Sequence, residues 1–370
     1  MTPHSNHSLS ESRSSRGENG AIAIGQRWFI VGGAGFIGSH FTDALLAIPA
    51  VTAVTIFDNF SSGREWHYQH HSSNPALKVV RGDVNDSHLL TMAMAGHDVV
   101  IHLASNPDIA RAAKDPDIDF REGTVLTRQV LEAMRVTGTR QILYASGSGV
   151  YGDSGTLEFS EDHGPLLPIS TYGASKLAGE ALIASYCYMF GLKGCAFRFG
   201  NVVGPRQTHG VGFDFVRQLL DHPGELRILG DGSQSKSYIH VEDVVRAVLL
   251  AQRRTAQPFA VYNVATGDYI TVTEIAKIAA ETLGRNGNTK FTYTGGDRGW
   301  KGDVPVVRLN TARIRSLGWE CRRNTADAIR ASVAALLPEA TKRTGPGAPG
   351  PSRPGSPVVC DRTQEDLACF

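Results

Sequence analysis

Two side chains in this sequence could do proton chemistry as a pair. Tyr172 and Lys176, in Tyr172-Gly173-Ala174-Ser175-Lys176, stand at i and i+4, which a helix places on one face. That spacing alone describes many exposed helix faces, and an upstream pattern gives it meaning. Gly33-Ala34-Gly35-Phe36-Ile37-Gly38 fits GxGxxG, and Gly32, Gly35 and Gly38 also fit GxxGxxG. The turn follows a short apolar run, Gln26 to Val31, and opens a helical pattern, Phe36 to Leu46. Glycines in that context allow a tight bend, a close approach of backbone N–H groups to a pyrophosphate, and tight helix–strand packing. Asp58 ends the next apolar run, Ala53 to Phe57. A carboxylate there accepts from ribose hydroxyls and repels a 2′-phosphate, so NAD is expected over NADP. Beside a nicotinamide, the ammonium and the positive ring would both lower the phenol pKa. A phenolate could then take a proton from a sugar hydroxyl as hydride leaves.

The elements that must hold these groups alternate along the chain. Apolar runs recur at Leu77–Val80, Val99–Leu103, Gln141–Ala145 and Cys195–Phe199, with helical patterns at Val125–Met134 and Ser175–Phe190. Strands alternating with helices imply an α/β, doubly wound parallel sheet covered on both faces, and near-continuous apolar strands fit that burial. After Gly204-Pro205 turns become frequent, and helical stretches are expected at Phe213–Leu220, Val241–Ala251, Thr273–Thr282 and Thr325–Leu337. The expected organisation is an unstructured extension over 1–24, a Rossmann-type dinucleotide domain over 25–203 and a smaller α/β substrate-binding lobe over 204–337. Segments near 237–265 return to the first domain. A Pro/Gly-rich tail over 338–370 cannot bury a core.

Composition excludes several classes. The chain has 370 residues, 41% of them hydrophobic, with 37 Lys and Arg against 36 Asp and Glu. A net charge of +1 provides no field for nucleic acid or an anionic membrane. No apolar run is long enough to span a bilayer. The Ser-rich first twenty residues lack the apolar core of a secretory signal. The five cysteines, Cys187, Cys195, Cys321, Cys360 and Cys369, show no zinc spacing. Reduced thiols, a cytoplasmic protein and no metal are expected.

The motifs together resemble the extended short-chain dehydrogenase/reductases of the NAD-dependent epimerase/dehydratase family, in the style of its UDP-glucose 4-epimerase branch. They run in order from IVGGAGFIGS at Ile30–Ser39 through FDNFSSG at Phe57–Gly63, RGDV at Arg81–Val84 and HLAS at His102–Ser105. ASGSGVYG at Ala145–Gly152, YGASK, RFGNVVGPR at Arg198–Arg206, KSYIHVEDV at Lys236–Val244 and RGWKGD at Arg298–Asp303 follow. The resemblance implies that NAD is held by Gly32, Gly35, Phe36, Ile37, Gly38, Asp58, Asn59, Ser62 and Gly63. Asp83 and Val84 lie against its adenine, and Leu103, Ala104 and Ser105 line it beside Tyr172 and Lys176. It also implies a nucleotide-diphosphate sugar substrate, most often a UDP-sugar, and a homodimer formed by the helices near Val125–Met134 and Ser175–Phe190. Asn201 matches a diphosphate contact, Arg227 and Leu229 flank the base, and Lys236 stands where many relatives have Arg, before Tyr238. Arg298 and Asp303 resemble an Arg-x-x-Asp pair at wider spacing, with Trp300 in the usual Arg position.

Two departures bear on the reaction. Relatives carry a catalytic Ser or Thr three residues before Val150-Tyr151-Gly152, where this chain has Gly147 between Ser146 and Ser148. Either serine is expected to supply the hydroxyl, with Ser148 preferred. Gly123 stands where the family tends to have Asn. The 4,6-dehydratases resemble one another in an Asp-Glu pair directly before VYG, and the decarboxylases keep a Glu there. Here the pair is Ser148-Gly149, which cannot supply that acid–base chemistry. The expected reaction is 4-epimerisation through a transient 4-keto sugar with Tyr172 as acid/base. Dehydration, decarboxylation, net reduction or a non-catalytic NAD-binding role are the alternatives.

Overall fold

The computed structural model describes residues 27–343 apart from 107, 154, 286 and 301. Seven parallel strands make the central sheet: β1 Arg27–Val31, β2 Ala53–Asp58, β3 Leu77–Arg81, β4 Val99–His102, β5 Gln141–Gly147, β6 Lys193–Phe199 and β7 Phe259–Val264. Their spatial order is β7-β6-β5-β4-β1-β2-β3, so chain direction across the sheet reverses between β1 and β4, where open α/β sheets bind ligands at the carboxyl ends of their strands. In register, Trp28 lies opposite both Val54 of β2 and Val99 of β4.

Helices cover both faces, which is why the strands need not alternate in polarity. Along β1, Trp28 and Ile30 join a core with α1, Phe36–Leu46, and α6, Val241–Arg254. Phe29 and Val31 face the opposite core with α2, Ser87–Met94, α3, Leu126–Thr137, and α4, Thr171–Phe190. All four β1 side chains are fully buried, each worth about 1.5–3 kcal/mol for its size class. The edge strand β3 departs from the expected unbroken burial, since Lys78, Val79 and Arg81 are exposed. Among the described residues no strand pairs beyond it.

The second lobe has its own core, from α5, Val211–Asp221, α7, Val272–Thr282, and α9, Thr325–Arg343. The strand Glu225–Ile228 pairs parallel with Lys290–Tyr293. The chain crosses between the lobes more than once, at the expected return near 237–265 and again near 314–319. The segment 238–264 supplies α6 and β7 to the first lobe. Ile314, in the short helix α8, Ala312–Ser316, returns there with Trp319. α9 continues through Pro338 to Arg343, into the stretch expected to be unstructured. The apolar series Ala328, Ile329, Val333 and Leu336 anchors this helix. The expected extension over 1–24 and the segment from residue 344 lie outside the described residues. Cys187, Cys195 and Cys321 are free thiols, and Cys360 and Cys369 also lie outside them. No helix among the described residues is long and apolar enough to cross a membrane.

One buried charge pair joins helix to sheet. Arg198 on β6 donates to Glu180 on α4 through Nε, at 3.0 Å, and Nη2, at 2.7 Å. Both side chains are about 95% buried. A buried pair of this kind contributes little net stability, but leaving one partner alone is costly. Arg198→Met should therefore destabilise the fold by about 3–5 kcal/mol, measured by urea denaturation. A loss below about 1 kcal/mol would mean that water reaches Glu180.

Candidate active site

The glycine turn sits directly after β1. Gly32 has φ of +79°, and a Cβ there would come within 2.8 Å of the Ala104 backbone N. A Cβ on Gly38 would lie 2.6 Å from the Gly32 carbonyl. Both positions need glycine, one for conformation and both for approach. Gly35 caps α1 without a side-chain hydrogen bond, which leaves the first N–H groups of the helix open to an anion. Phe36 and Ile37 form the first turn of α1. At the end of β2, Asp58 accepts from the Ala34 N–H through Oδ2, at 2.9 Å, and from the Phe60 N–H through Oδ1, at 2.8 Å. Burial pushes its pKa up, opposed by those two donors, and each oxygen retains acceptor capacity for a ribose hydroxyl. Gly63 packs so closely that a Cβ would lie 2.8 Å from Asp58 Oδ1, so the Asn59–Gly63 loop, Ser62 included, wraps this carboxylate. Asp83 orders its own loop by accepting from the Asn85 N–H at 2.8 Å, and Val84 is buried beside it. These features fit a dinucleotide along the strand ends.

Tyr172 and Lys176 lie on the first turns of α4, capped by Ser170, whose Oγ accepts from the Gly173 N–H at 3.0 Å. The Lys176 ammonium is buried and donates to the Ala145 carbonyl of β5 at 2.8 Å. It lies 5.3 Å from the Tyr172 ring centroid and 5.2 Å from that of Tyr144. Burial lowers its pKa to about 8, with Asp119 opposing. The phenol of Tyr172 is buried. Burial pushes it above its usual value, a hydrogen bond with the Ser105 side chain pulls it down, and Asp119 pushes it up. Burial is the largest of these influences on the phenol.

The two serines separate. Ser146 Oγ donates to Glu180 Oε1 at 2.5 Å, so its hydroxyl is committed to the buried Glu180–Arg198 pair. Ser148 is half-buried, opens the short turn Ser148–Tyr151, and has no side-chain hydrogen bond among the described residues. This turn packs hard on α4: a Cβ on Gly173 would come within 2.5 Å of the Gly149 carbonyl. Gly147, between the serines, has open space within 4 Å of where its Cβ would stand. Gly123 is the opposite case, since its Cβ would lie 2.6 Å from Ser175 Oγ. It belongs to a π-helical turn, Phe120–Val125, against α4, and an Asn there would collide with Ser175.

Sequence reasoning missed the polar groups around Tyr172. Asp119 is 1% exposed, accepting from Asn106 Nδ2 at 2.9 Å and from Thr171 Oγ1 at 2.6 Å. Ser105, expected to line the cofactor, also hydrogen-bonds the phenol. Neither carries a local spacing signal, because their partners come from distant segments.

The substrate-side residues form two groups. Lys236 Nζ donates to Asp303 Oδ1 at 2.6 Å and lies 5.2 Å from the Trp300 ring centroid. Arg298 donates to the Asp303 carbonyl and to the Asp153 carboxylate. Asp153 follows the Ser148–Tyr151 turn, so this pair ties the second lobe to the tyrosine loop. A Cβ on Gly302 would lie 3.6 Å from Ser170 Cβ, which brings the Arg298–Asp303 segment to the start of α4. Asn201 and Tyr238 stand opposite each other on paired strands, and their side chains hydrogen-bond. Arg227 and Leu229 are exposed on the second lobe, with Leu229 beside the Arg298–Asp303 segment, since a Cβ on Gly299 would lie 3.8 Å from Leu229 Cβ.

This architecture and turn recur in known proteins. The family described as the NAD dependent epimerase/dehydratase family matches residues 28–265. A UDP-glucose 4-epimerase of Mycolicibacterium smegmatis is 32% identical, over 83% of this chain and 97% of its own length. A dTDP-glucose 4,6-dehydratase of an Actinoplanes species is also 32% identical, over 82% of this chain and 96% of its own. The solved structure of a UDP-galactose 4-epimerase superposes with a TM-score of 0.74 at 37% identity, covering 85% of this chain and 99% of that one. With this match and the Leu103–Ser105 segment running from the glycine turn, at Gly32, to Tyr172, at Ser105, the chain belongs to the NAD-dependent epimerase/dehydratase family of nucleotide-sugar enzymes.

Proposed function

We propose that this chain is a UDP-sugar 4-epimerase with Tyr172 as its acid/base. The observation that carries the reading is the pairing of an intact Tyr172–Lys176 site with a tyrosine loop lacking carboxylates. Gly149 faces the Gly173 backbone with no side chain, and Ser148 is the hydroxyl beside it. Among the described residues, the buried carboxylates nearby are already engaged: Asp119 by Asn106 and Thr171, and Glu180 by Ser146 and Arg198. Elimination of water requires an acid and a base besides the tyrosine, whereas epimerisation requires one group that takes a proton and returns it.

Bound NAD supplies hydride transfer to and from the sugar C4. Gly32, Gly38 and the open N-terminus of α1 hold its pyrophosphate, Asp58 its ribose and Ser105 to Leu103 its nicotinamide side. Tyr172 Oη takes the C4 hydroxyl proton, with Ser105 holding the phenol in place. Lys176 supplies the positive charge that favours the phenolate. Ser148 orients the sugar oxygen. Lys236 turns from Asp303 to the diphosphate on binding, and Asn201 and Arg298 complete that grip. The chain acts as a homodimer through α3 and α4, where Val136, Tyr188 and Met189 stand more than 60% exposed.

Tyr172→Phe should lower turnover of UDP-glucose to UDP-galactose by about 10² to 10⁴-fold, with NAD content unchanged by absorbance. Unchanged turnover would remove Tyr172 from the reaction.

Gly147→Ser addresses the missing hydroxyl. Because the space is open, the variant should fold with wild-type stability and react faster, with the about 10²-fold worth of one well-placed donor as the ceiling. A large rise in KM instead would show that the sugar ring occupies that space.

A further inference from the structure

Away from the tyrosine site, Asp43 of α1 meets two adjacent histidines. His70 Nε2 and His71 Nε2 each lie 2.9 Å from Asp43 Oδ1. The ring centroids are 4.2 Å apart, and one ligand atom from each of the three residues falls within 4.8 Å of the others. The second carboxylate oxygen, Oδ2, is held by Arg206 Nη2. Arg206 Nη1 donates to the His67 carbonyl at 3.0 Å. The carboxylate is thus fixed from behind, and its free face is turned to two imidazoles.

We propose that Asp43, His70 and His71 form a binding site for one divalent transition-metal ion of the zinc class. Two imidazole nitrogens and a carboxylate oxygen are the donors such ions take, at about 2.0–2.2 Å. A tetrahedral ion with bonds of that length spaces its ligands about 3.3 Å apart. The two 2.9 Å separations need open by only a few tenths of an ångström, which side-chain rotation supplies. Each ring gives up its Nε2 hydrogen bond to Asp43. A neutral ring moves its proton to Nδ1 and offers the Nε2 lone pair to the ion. His70 is 49% exposed, which leaves an entry path and a fourth position for water. Arg206 is the outer partner that orients the ligating carboxylate, and its charge opposing the ion makes the site one of moderate affinity.

The site has a structural consequence. An ion there would pin the turn Gln69–His71 to α1. His67, in the preceding turn, places Nδ1 2.7 Å from the Ala34 carbonyl of the glycine turn. The ion would stiffen the support of that turn without touching the cofactor. No short motif announces such a site, because one ligand lies on a helix far upstream of the histidine pair.

The experiment is titration of the chelator-treated full chain with Zn²⁺ by calorimetry, and with Co²⁺ followed by its visible d–d absorption. The wild type should bind one ion per chain, show the intense absorption of four-coordinate cobalt and gain melting temperature with zinc. The His70→Ala/His71→Ala double variant should lose all three responses while keeping its metal-free circular dichroism spectrum. Asp43→Asn, which keeps an acceptor oxygen, should bind at least tenfold more weakly. It carries the test if the double variant does not fold. No binding by the wild type, or the same affinity in the double variant or in Asp43→Asn, would overturn the proposal and leave a hydrogen-bonded cluster only.

Discussion

The site is organised around a buried ammonium. Lys176 sits in the first turns of α4 with Nζ on the Ala145 carbonyl, and burial drops its pKa to about 8. An ammonium removed from water is costly unless its surroundings compensate. Here one carbonyl, the faces of Tyr144 and Tyr172, and the charge of Asp119 offset only part of that cost. The bond to Ala145 fixes α4 against the carboxyl end of β5. The helix can come that close because Gly173 and Gly123 present no side chain to the turns packed on it. Once α4 is pinned there, Tyr172 lies beside Ser105 after β4, next to the strand reversal that receives the dinucleotide. The chemistry of the tyrosine therefore follows from where the sheet can accept a charge.

The second lobe is tied to this centre by charged groups that already have partners. Lys236 and Asp303 pair with each other, and Arg298 pairs with Asp153 next to the tyrosine loop. On the proposed reading, a diphosphate entering here would exchange partners with Lys236 and Arg298, whose ion pair to Asp153 lies next to the Ser148–Tyr151 turn.

Much of this was legible in the sequence, because it is written locally. The glycine turn, Asp58 at the end of β2 and the i, i+4 tyrosine–lysine pair are short-range patterns whose geometry follows from period and sterics. α1 ends where its apolar spacing ends. Partner choice across long separations was not legible. Ser146 and Ser148 look equivalent in the sequence, yet one is captured by Glu180 and the other is not. Ser105 reads as a cofactor residue, and its additional contact with Tyr172 is invisible in the sequence. The return of Trp319 to the first core depends on packing that no single segment encodes. α9 outruns its expected end because its core-facing residues hold it through a proline. The phenol pKa moves up where charge proximity alone would move it down, because burial is a property of the whole fold.

The central claim is that one tyrosine exchanges one proton at C4 and the ring carbons keep their own. Incubating the enzyme with UDP-glucose in D₂O without added NAD, and reading the products by NMR, tests it directly. The account predicts a mixture of C4 epimers with no deuterium on any ring carbon. Deuterium at C5 with a 4-keto-6-deoxy product would show elimination instead and contradict it.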